Sequence, residues 1–178
     1  MNSVKDFGEP GFVWSDSTEL IVNPCVEIGM WPVDEKTGET GWQACNLSTI
    51  NCAKIKTEED FYDACKAASI IGTLQAGFDI FEYLGETSEN IIKREALLGV
   101  SMTGIMEQHD ICLDPTVQKR GAAIVKKTNE ILAKKIGVNQ AARTTCIKPE
   151  GTSSCILGTS SGIHPHHAEV HHEQYGVP

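Results

Sequence analysis

A chemically unusual group of side chains lies near the amino end of the chain, in Asn23-Pro24-Cys25-Val26-Glu27. An amide, a thiol and a carboxylate occupy alternate positions there. The stretch from Cys25 to Ile28 is predicted to be extended, and alternate side chains of an extended strand point to the same face. We therefore expect Asn23, Cys25 and Glu27 to share one site. The alternative is a packed structural cysteine with two solvent-facing polar neighbours, since free cysteines are commonly buried as small hydrophobic residues.

A second group combines a glycine turn with hydroxyl side chains, in Pro149-Glu150-Gly151-Thr152-Ser153-Ser154 and then Gly158-Thr159-Ser160-Ser161-Gly162. A glycine turn that opens a helix presents free backbone amides and the positive end of the helix dipole to an anion. This pattern predicts a phosphate-binding loop at about residues 148–165. A helix start capped by Ser or Thr, without a ligand, is an equally good interpretation of the local sequence.

A histidine cluster near the carboxyl end comprises His164, His166, His167, His171 and His172. Such a cluster raises the question of a metal site. However, no cysteine or carboxylate falls at the spacing of a zinc finger, and Pro165 restrains the loop. We therefore predict no metal site. A nonenzymatic module that binds phosphate or metal remains as an alternative function.

The charge and the cysteine content exclude several classes of protein. The net charge is −9 and the pI is about 5.1, so the chain lacks the diffuse basic surface that attracts nucleic acid or anionic lipid. Its seven cysteines are an odd number with irregular spacing, which favours a reducing compartment over a disulfide framework. The sequence shows neither a signal peptide nor a membrane-spanning stretch. We expect a cytoplasmic protein that does not bind nucleic acid or membranes.

Alternating helix and strand patterns predict one domain of the α/β class over residues 1–178. A capping signal at Thr57 opens a helix that runs to about Gly77. The expected buried face of this helix consists of Phe61, Ala64, Cys65, Ala68, Ile71 and Leu74. Further helices are predicted over 88–94 and, after Asp114-Pro115, as far as Gly137. The predicted strands cover residues 45–50, 97–100 and 143–147, with a turn over 34–41.

These blocks resemble a known family. Asn-Pro-Cys-x-Glu, followed about twenty residues later by Cys45-Asn46-Leu47, is similar to the finger loop and the next strand of ribonucleotide reductases, particularly the adenosylcobalamin-dependent (class II) enzymes. The similarity continues through the segments 70–75, 94–101 and 148–154, and it covers roughly residues 8–168. Several separated blocks in the family's order are more specific than one short motif. Beyond Ala168 the pattern departs from the family, which sets residues 169–178 apart.

The resemblance implies a role for each residue of the first group. Cys25 would carry a thiyl radical that removes the ribose 3′ hydrogen, Glu27 would accept the 3′-hydroxyl proton, and Asn23 would bind the ribose hydroxyls. Cys45 would be one of two cysteines that reduce the substrate and become a disulfide. A ribose carbon-hydrogen bond is too weakly acidic for a general base, so the chemistry needs a radical and a cofactor, here adenosylcobalamin.

The resemblance also implies the setting of these residues. The chain would be the C-terminal-half portion of the reductase α/β barrel, with a finger loop at about 20–31 inside it. The substrate phosphates would bind Glu150, Gly151, Thr152, Ser153 and Ser154. The whole oxidoreductase would convert ribonucleoside di- or triphosphates to deoxyribonucleotides for DNA replication, using a thioredoxin-like reductant. This chain alone would be inactive and would need a complementary chain or the missing N-terminal half. A class I large-subunit fragment with a separate radical-generating subunit is the nearest alternative.

Overall fold

Helices and short strands alternate in the computed structural model, which describes residues 2–8 and 11–166. This order confirms the predicted α/β class. The elements are α1 (Asn2–Phe7), β1 (Ile21–Val22), β2 (Gly29–Met30), β3 (Asn46–Asn51), α2 (Glu58–Ala76), α3 (Gly85–Glu95), β4 (Leu98–Thr103), α4 (His109–Cys112), α5 (Pro115–Ile136) and α6 (Gly151–Leu157). Short 3₁₀ turns follow β3 and β4, at Cys52–Lys54 and Ile105–Gln108. Within the described ranges, no helix has the length and apolar character needed to cross a membrane.

A parallel pair of strands forms the centre of the molecule. β3 and β4 pair in parallel, with Asn46 opposite Leu98 at their first residues. The segment 143–146 lies along the other side of β4, where the Val100 amide donates to the Thr144 carbonyl at 3.0 Å. All six residues of β4 are buried. The predicted strands at 45–50 and 97–100 are therefore confirmed, whereas the one predicted at 143–147 forms a single β-bridge to β4.

Capping interactions fix the ends of the two long helices. The Thr57 hydroxyl accepts a hydrogen bond from the Asp60 amide at 3.1 Å, and the Asp60 carboxylate accepts one from the Thr57 amide at 2.9 Å. The Asp114 side chain accepts from two first-turn amides of α5, and Pro115 occupies the first helical position. Gly137 ends α5 with a φ of +82°. Both helices begin and end where the sequence predicts.

The buried face of α2 differs from the predicted one. Ile71 and Leu74 are 53% and 55% exposed, whereas Thr73 is fully buried and accepts a hydrogen bond from the Asn129 amide nitrogen at 3.0 Å. Gly72 explains the difference, because a Cβ there would lie only 3.1 Å from the Leu98 side chain of β4. The helix thus approaches the sheet through its small residues. The apolar spacing alone cannot reveal that preference.

The segment around Cys25 also differs from the prediction. β1 and β2 are two-residue antiparallel strands, and residues 23–28 form the loop that joins them. The Val26 amide donates to the Asn23 carbonyl at 2.9 Å, and Val26 has a φ of +65°. The extended conformation predicted for residues 25–28 is therefore wrong. A turn inside a hairpin replaces it. The predicted turn over 34–41 is confirmed by the bridge between Val33 and Thr40.

The main apolar core lies between the sheet and the two long helices. Val100, Met102 and Ile50 project from β4 and β3 toward Phe61 of α2 and Val125 of α5. Each of these side chains is at least nine-tenths buried. Burial of this apolar surface is the main favourable contribution to folding. The two long helices therefore cover one face of the sheet and leave the opposite face for other segments of the chain.

We predict that Gly121→Val lowers the free energy of unfolding by about 1–3 kcal/mol, the usual cost of overpacking. A Cβ at this position of α5 would lie 2.7 Å from Phe61 Cε1 and 3.0 Å from Cys65 Sγ. The matched control is Ala123→Val on the exposed side of the same helix, which should cost only about 0.5 kcal/mol of helix propensity. Urea denaturation measures both. Equal losses for the two variants would contradict close packing at Gly121.

Candidate active site

A glycine in the central strand allows the 23–28 loop to pack on the sheet. A Cβ at Gly99 would overlap Leu47 Cδ2 and would lie 3.1 Å from Cys146 Sγ and 3.6 Å from Ile28 Cδ1. Three neighbouring strand segments and the loop therefore meet over this one position. Alternate residues of a strand share a face. The surface opposite the main core therefore carries residues 47 and 49 of β3, residue 45 directly before it, and residues 99, 101 and 103 of β4. We call this surface the inner face.

Asn23 holds the loop closed. Its side-chain Oδ1 accepts a hydrogen bond from the Ile28 backbone amide at 3.0 Å, and the backbone amide of Asn23 donates to the Ile28 carbonyl at 3.3 Å. Asn23 is 6% exposed, whereas Cys25 at the tip of the loop is exposed. The loop thus presents the thiol outward and keeps the amide side chain inside. The structure brings the predicted trio into one loop, through a turn rather than a strand.

The carboxylate of Glu27 is buried without a partner. Both of its oxygens are inaccessible to solvent, and neither has a hydrogen-bond partner among the described residues. A buried carboxylate normally accepts hydrogen bonds, because leaving it unpaired is costly. Glu27 precedes Ile28, which packs over Gly99. The loop therefore holds an unpaired acceptor close to the inner face.

Cys45 lies directly before β3 and packs against Ile28, Met30 and Leu97. Burial raises the pKa of the Cys45 thiol, and the charge of the Glu27 carboxylate raises it further. Lys148 acts in the opposite direction, and Cys25 adds a smaller upward contribution to the Cys45 pKa. The two cysteines predicted to be functional thus lie within electrostatic reach of each other and of Glu27.

Two residues of this site were missed from the sequence. Cys146 and Lys148 approach the inner face from the third strand segment. Burial, and then the Glu27 charge, raise the pKa of Cys146 to about 11, although Lys148 lowers it. The Lys148 amide donates to Ser101 Oγ at 3.0 Å. Cys146 lies in the predicted strand over 143–147, whereas Lys148 lies just beyond it, and only the fold shows that both reach the inner face.

Glu150 anchors the predicted phosphate loop to the sheet. It has a left-handed backbone with φ +56°, and its carboxylate accepts a 2.8 Å hydrogen bond from the Thr49 hydroxyl of β3. The Ser153 hydroxyl also donates to this carboxylate. Lys148 Nζ lies 3.9 Å from Glu150 Oε2. Thus Glu150, which is 3% exposed, joins the start of α6 to the inner face.

The remaining residues of this loop surround the start of α6. Thr152 is exposed, and Ser154 is buried with its hydroxyl donating to the Gly151 carbonyl at 3.0 Å. The first-turn amides of a helix have no partner within that helix. A Cβ at Gly151 would meet nothing within 4 Å, so the space beside these amides is open to the surroundings. The structure therefore leaves open space beside the start of α6.

The chain returns from α6 across the end of β4. Thr103 Oγ1 donates to the Ser160 carbonyl at 2.9 Å and accepts from the Gly162 amide at 3.0 Å. Glu107 accepts hydrogen bonds from the Ser160 amide at 2.6 Å and from His166 Nε2 at 3.0 Å. This network, buried at Thr103 and exposed at His166, fixes the second half of the glycine- and serine-rich segment.

The predicted histidine cluster is only partly described. Within residues 2–8 and 11–166, no three His, Cys, Asp or Glu side chains are placed to hold one metal ion. His164 and His166 belong to the described part, whereas His167, His171 and His172 lie outside the described residues, as does the whole segment 169–178.

Comparison with known proteins identifies the relatives of this arrangement. No protein-family model matches the chain. A curated adenosylcobalamin-dependent ribonucleoside-triphosphate reductase of Lactobacillus helveticus is 26% identical in an alignment of 174 positions, which covers 82% of this chain and 22% of that protein. The corresponding reductase of Lactobacillus leichmannii is 24% identical in an alignment of 209 positions including gaps, which covers 92% of this chain and 27% of that protein. The chain is homologous to part of these adenosylcobalamin-dependent reductases. The predicted family resemblance is confirmed.

A solved structure supports the same relationship at the level of the fold. A B-12 dependent (class II) ribonucleotide reductase matches 83% of this chain and 23% of its own chain with a TM-score of 0.61 at 22% identity. A putative adenosylcobalamin-dependent ribonucleoside-triphosphate reductase of Mycobacterium phage D29 is 24% identical over 180 residues, covering 89% of this chain and 24% of the phage protein. The chain therefore spans about a quarter of the length of the curated relatives it matches.

We predict that Glu27→Gln accelerates the alkylation of Cys45 by iodoacetamide at pH 8. The thiolate is the reactive form, and removing the nearby negative charge should lower the Cys45 pKa. The pH profile of alkylation, measured by mass spectrometry of the Cys45 peptide, should shift toward lower pH. Cys155 in α6 provides an internal control, because its thiol contacts the Gly151 carbonyl at 3.2 Å rather than the cluster around Ile28. An unchanged pH profile of Cys45 alkylation would contradict an electrostatic effect of Glu27 on this thiol.

Proposed function

We propose that this chain forms the thiol and phosphate-loop portion of a ribonucleotide reductase that converts ribonucleotides to deoxyribonucleotides by a thiyl-radical mechanism. The observation that carries the proposal is the Glu27 carboxylate, which is buried beside the exposed Cys25 and has no hydrogen-bond partner among residues 2–8 and 11–166. An unpaired acceptor next to a thiol needs a ligand that donates a hydrogen bond, and a ribose hydroxyl is such a donor. Homology to adenosylcobalamin-dependent reductases supports the same chemistry and favours it over a class I fragment or a nonenzymatic module.

In the proposed mechanism each residue of the loop has one task. Cys25, as a thiyl radical, takes the ribose 3′ hydrogen atom, and Glu27 accepts the 3′-hydroxyl proton as a general base. Asn23 Oδ1 is already used by the turn, which leaves its amide nitrogen to donate to a ribose hydroxyl. Because the turn fixes Asn23, the position of the ribose relative to Cys25 is fixed with it.

The names of the relatives imply adenosylcobalamin as the cofactor. When bound, it would supply the oxidising equivalent that turns the Cys25 thiol into a radical. Cys25 fits this chemistry because its thiol is exposed at the tip of the loop while Asn23 is buried and the Glu27 oxygens are inaccessible. Cys25 is therefore the residue that would meet the cofactor. The name ribonucleoside-triphosphate reductase likewise favours a triphosphate as the substrate.

Cys45 is proposed as one of the two thiols that reduce the substrate. Cys146 cannot be its disulfide partner, because β4 separates their strand segments and two strand spacings amount to about 9–10 Å. A disulfide requires Cα atoms within about 7 Å. We therefore place the second thiol in the rest of the enzyme. A thioredoxin-like reductant would regenerate the pair, and the cytoplasm would keep the seven free cysteines reduced.

The rest of the barrel is proposed to dock on the outer edge of β3. That edge has no strand partner among the described residues, and an unpaired edge is a template for another strand. Beside it lies a groove of about 410 Å³, lined by β3 and by Ala64, Ala67, Ala68 and Ile71 of α2. The occupant would be the missing N-terminal half or a complementary chain. The 23–28 loop, within the finger loop at about 20–31, would then lie inside the barrel.

The radical role predicts that Cys25→Ser leaves only trace formation of deoxynucleotide in the enzyme assembled with its remaining part. Nucleotide affinity should stay nearly unchanged, since serine keeps the shape of the loop. Cys45→Ser should instead block multiple turnover and the substrate-dependent disulfide. Product analysis and thiol titration after one turnover measure these effects. Substantial turnover by Cys25→Ser would remove the radical from this residue.

The phosphate role predicts that Thr152→Ala weakens nucleotide binding by about tenfold to somewhat over a hundredfold, because one charge-assisted hydrogen bond contributes about 1.5–3 kcal/mol and the Ser153 hydroxyl already donates to Glu150. Gly151→Val is a cleaner probe, since a Cβ there meets nothing within 4 Å in the chain itself and would enter the space proposed for the phosphate. Calorimetry with a nucleotide and with its nucleoside gives the comparison. Equal losses for both ligands would make the loop a helix cap rather than a phosphate site.

The docking proposal predicts that Ile71→Asp weakens association with the rest of the enzyme by at least tenfold. Ile71 is 53% exposed, so the change should leave the chain folded while placing a charge in the groove. Ile131→Asp, at a 58% exposed position of α5, is the matched control. Analytical ultracentrifugation of the two polypeptides measures the affinity. A similar effect of both substitutions would exclude the β3 edge as the specific interface.

A further inference from the structure

The inner face places negative charge next to two thiols. The Glu150 side chain is fully buried, and the Glu27 carboxylate oxygens are inaccessible to solvent. Both Cys45 and Cys146 pack against the same cluster as Ile28 and are partly buried. Carboxylates beside a buried thiol oppose its ionisation. A cation is needed if either thiol is to give up its proton readily.

Lys148 is in a position to supply that cation. It follows Cys146 by two residues, and alternate residues of an extended segment share a face. Its backbone is fixed by the hydrogen bond from its amide to Ser101 Oγ, and its Nζ lies 3.9 Å from Glu150 Oε2. The side chain is only 17% exposed. The Lys148 ammonium group is therefore held at the inner face rather than in solvent.

The charge of Lys148 reaches both sides of the site. It lowers the pKa of Cys45 and of Cys146, in opposition to burial and to Glu27. The groups that face Cys45 are Glu27 and Cys25 from the loop and Lys148 from the third strand segment. Glu150 anchors the start of α6 to β3 through its hydrogen bond with Thr49. Because Lys148 Nζ lies 3.9 Å from Glu150 Oε2, the same lysine also interacts with the residue that begins the phosphate loop.

We propose that Lys148 is a positioning residue that keeps the Cys45 thiol ionisable beside Glu27 and connects the thiol site to the phosphate loop through Glu150. The proposal rests on the proposed function of Cys45 as a reductant. In that reaction two thiols lose two electrons and two protons as their disulfide forms. The nucleotide loses its 2′-hydroxyl as water, and its 2′ carbon gains a hydrogen. A cation near Cys45 assists the loss of the thiol proton.

The thiol reactivity of the purified chain tests this role without any requirement for reductase activity. Lys148→Met should slow the alkylation of Cys45 by iodoacetamide at pH 8 by about three- to tenfold, and should move the pH profile upward, because only the thiolate reacts. Lys148→Arg should keep the rate within about twofold by restoring the charge. Glu27→Gln should shift the profile in the opposite direction. Unaltered Cys45 kinetics in Lys148→Met would overturn the proposal.

A purely structural role of the ion pair has a different signature. Loss of folding would make the buried thiols of Cys52, Cys65 and Cys112 reactive, whereas a charge effect would leave them protected. If Lys148→Met unfolds because Glu150 is left as an unpaired buried charge, the double variant Lys148→Met with Glu150→Gln removes that charge. Cys45 should still react slowly in this folded variant, and a normal rate there would refute the proposal. Failure of the proposed reductase function has a separate readout, because Cys25→Ser would then retain substantial turnover.

Discussion

The packing of the 23–28 loop over Gly99 is the constraint on which the site depends. β4 is buried along its whole length, yet its two faces are covered differently. The helices cover one face with apolar side chains, and the loop covers the other by contact with Leu47 and Cys146. A side chain at residue 99 would displace Leu47 and Cys146, the residues that pack with Ile28 of the loop. Thus the absence of one Cβ allows a loop, two strands and a third strand segment to bring their polar groups together.

A single buried carboxylate links the two halves of the site. Glu150 adopts a left-handed backbone that is unusual for a residue with a side chain, and its contacts to Thr49, Ser153 and Lys148 compensate the cost. Strained residues of this kind persist where the surroundings over-determine them. Because these contacts come from a strand and from the helix start, movement of the loop that begins α6 is coupled to the sheet. The thiols and the phosphate loop share one rigid support.

The sequence predicts the long helices well because their ends are defined by local capping chemistry, at Thr57 and Asp114. It fails where long-range packing decides the conformation. The turn at Val26 depends on Asn23 reaching Ile28, and the exposure of Ile71 depends on Gly72 meeting the sheet. Among the site residues, the motif around Cys25 was recognisable, and Lys148 was not. Its importance comes from Glu150 and from two cysteines that only the fold brings near it.

The inner face and the groove beside β3 differ in polarity, and this difference bears on how a gene for such an enzyme could be divided. The inner face is lined by hydroxyls, thiols and charged groups, and Thr49, Ser101 and Thr103 already have hydrogen-bond partners within the chain. The groove beside β3 runs along the outer edge of the sheet, where Leu47 and Thr49 border it. Recognition between separate polypeptides can thus evolve at the rim of the sheet without altering the chemistry at its centre.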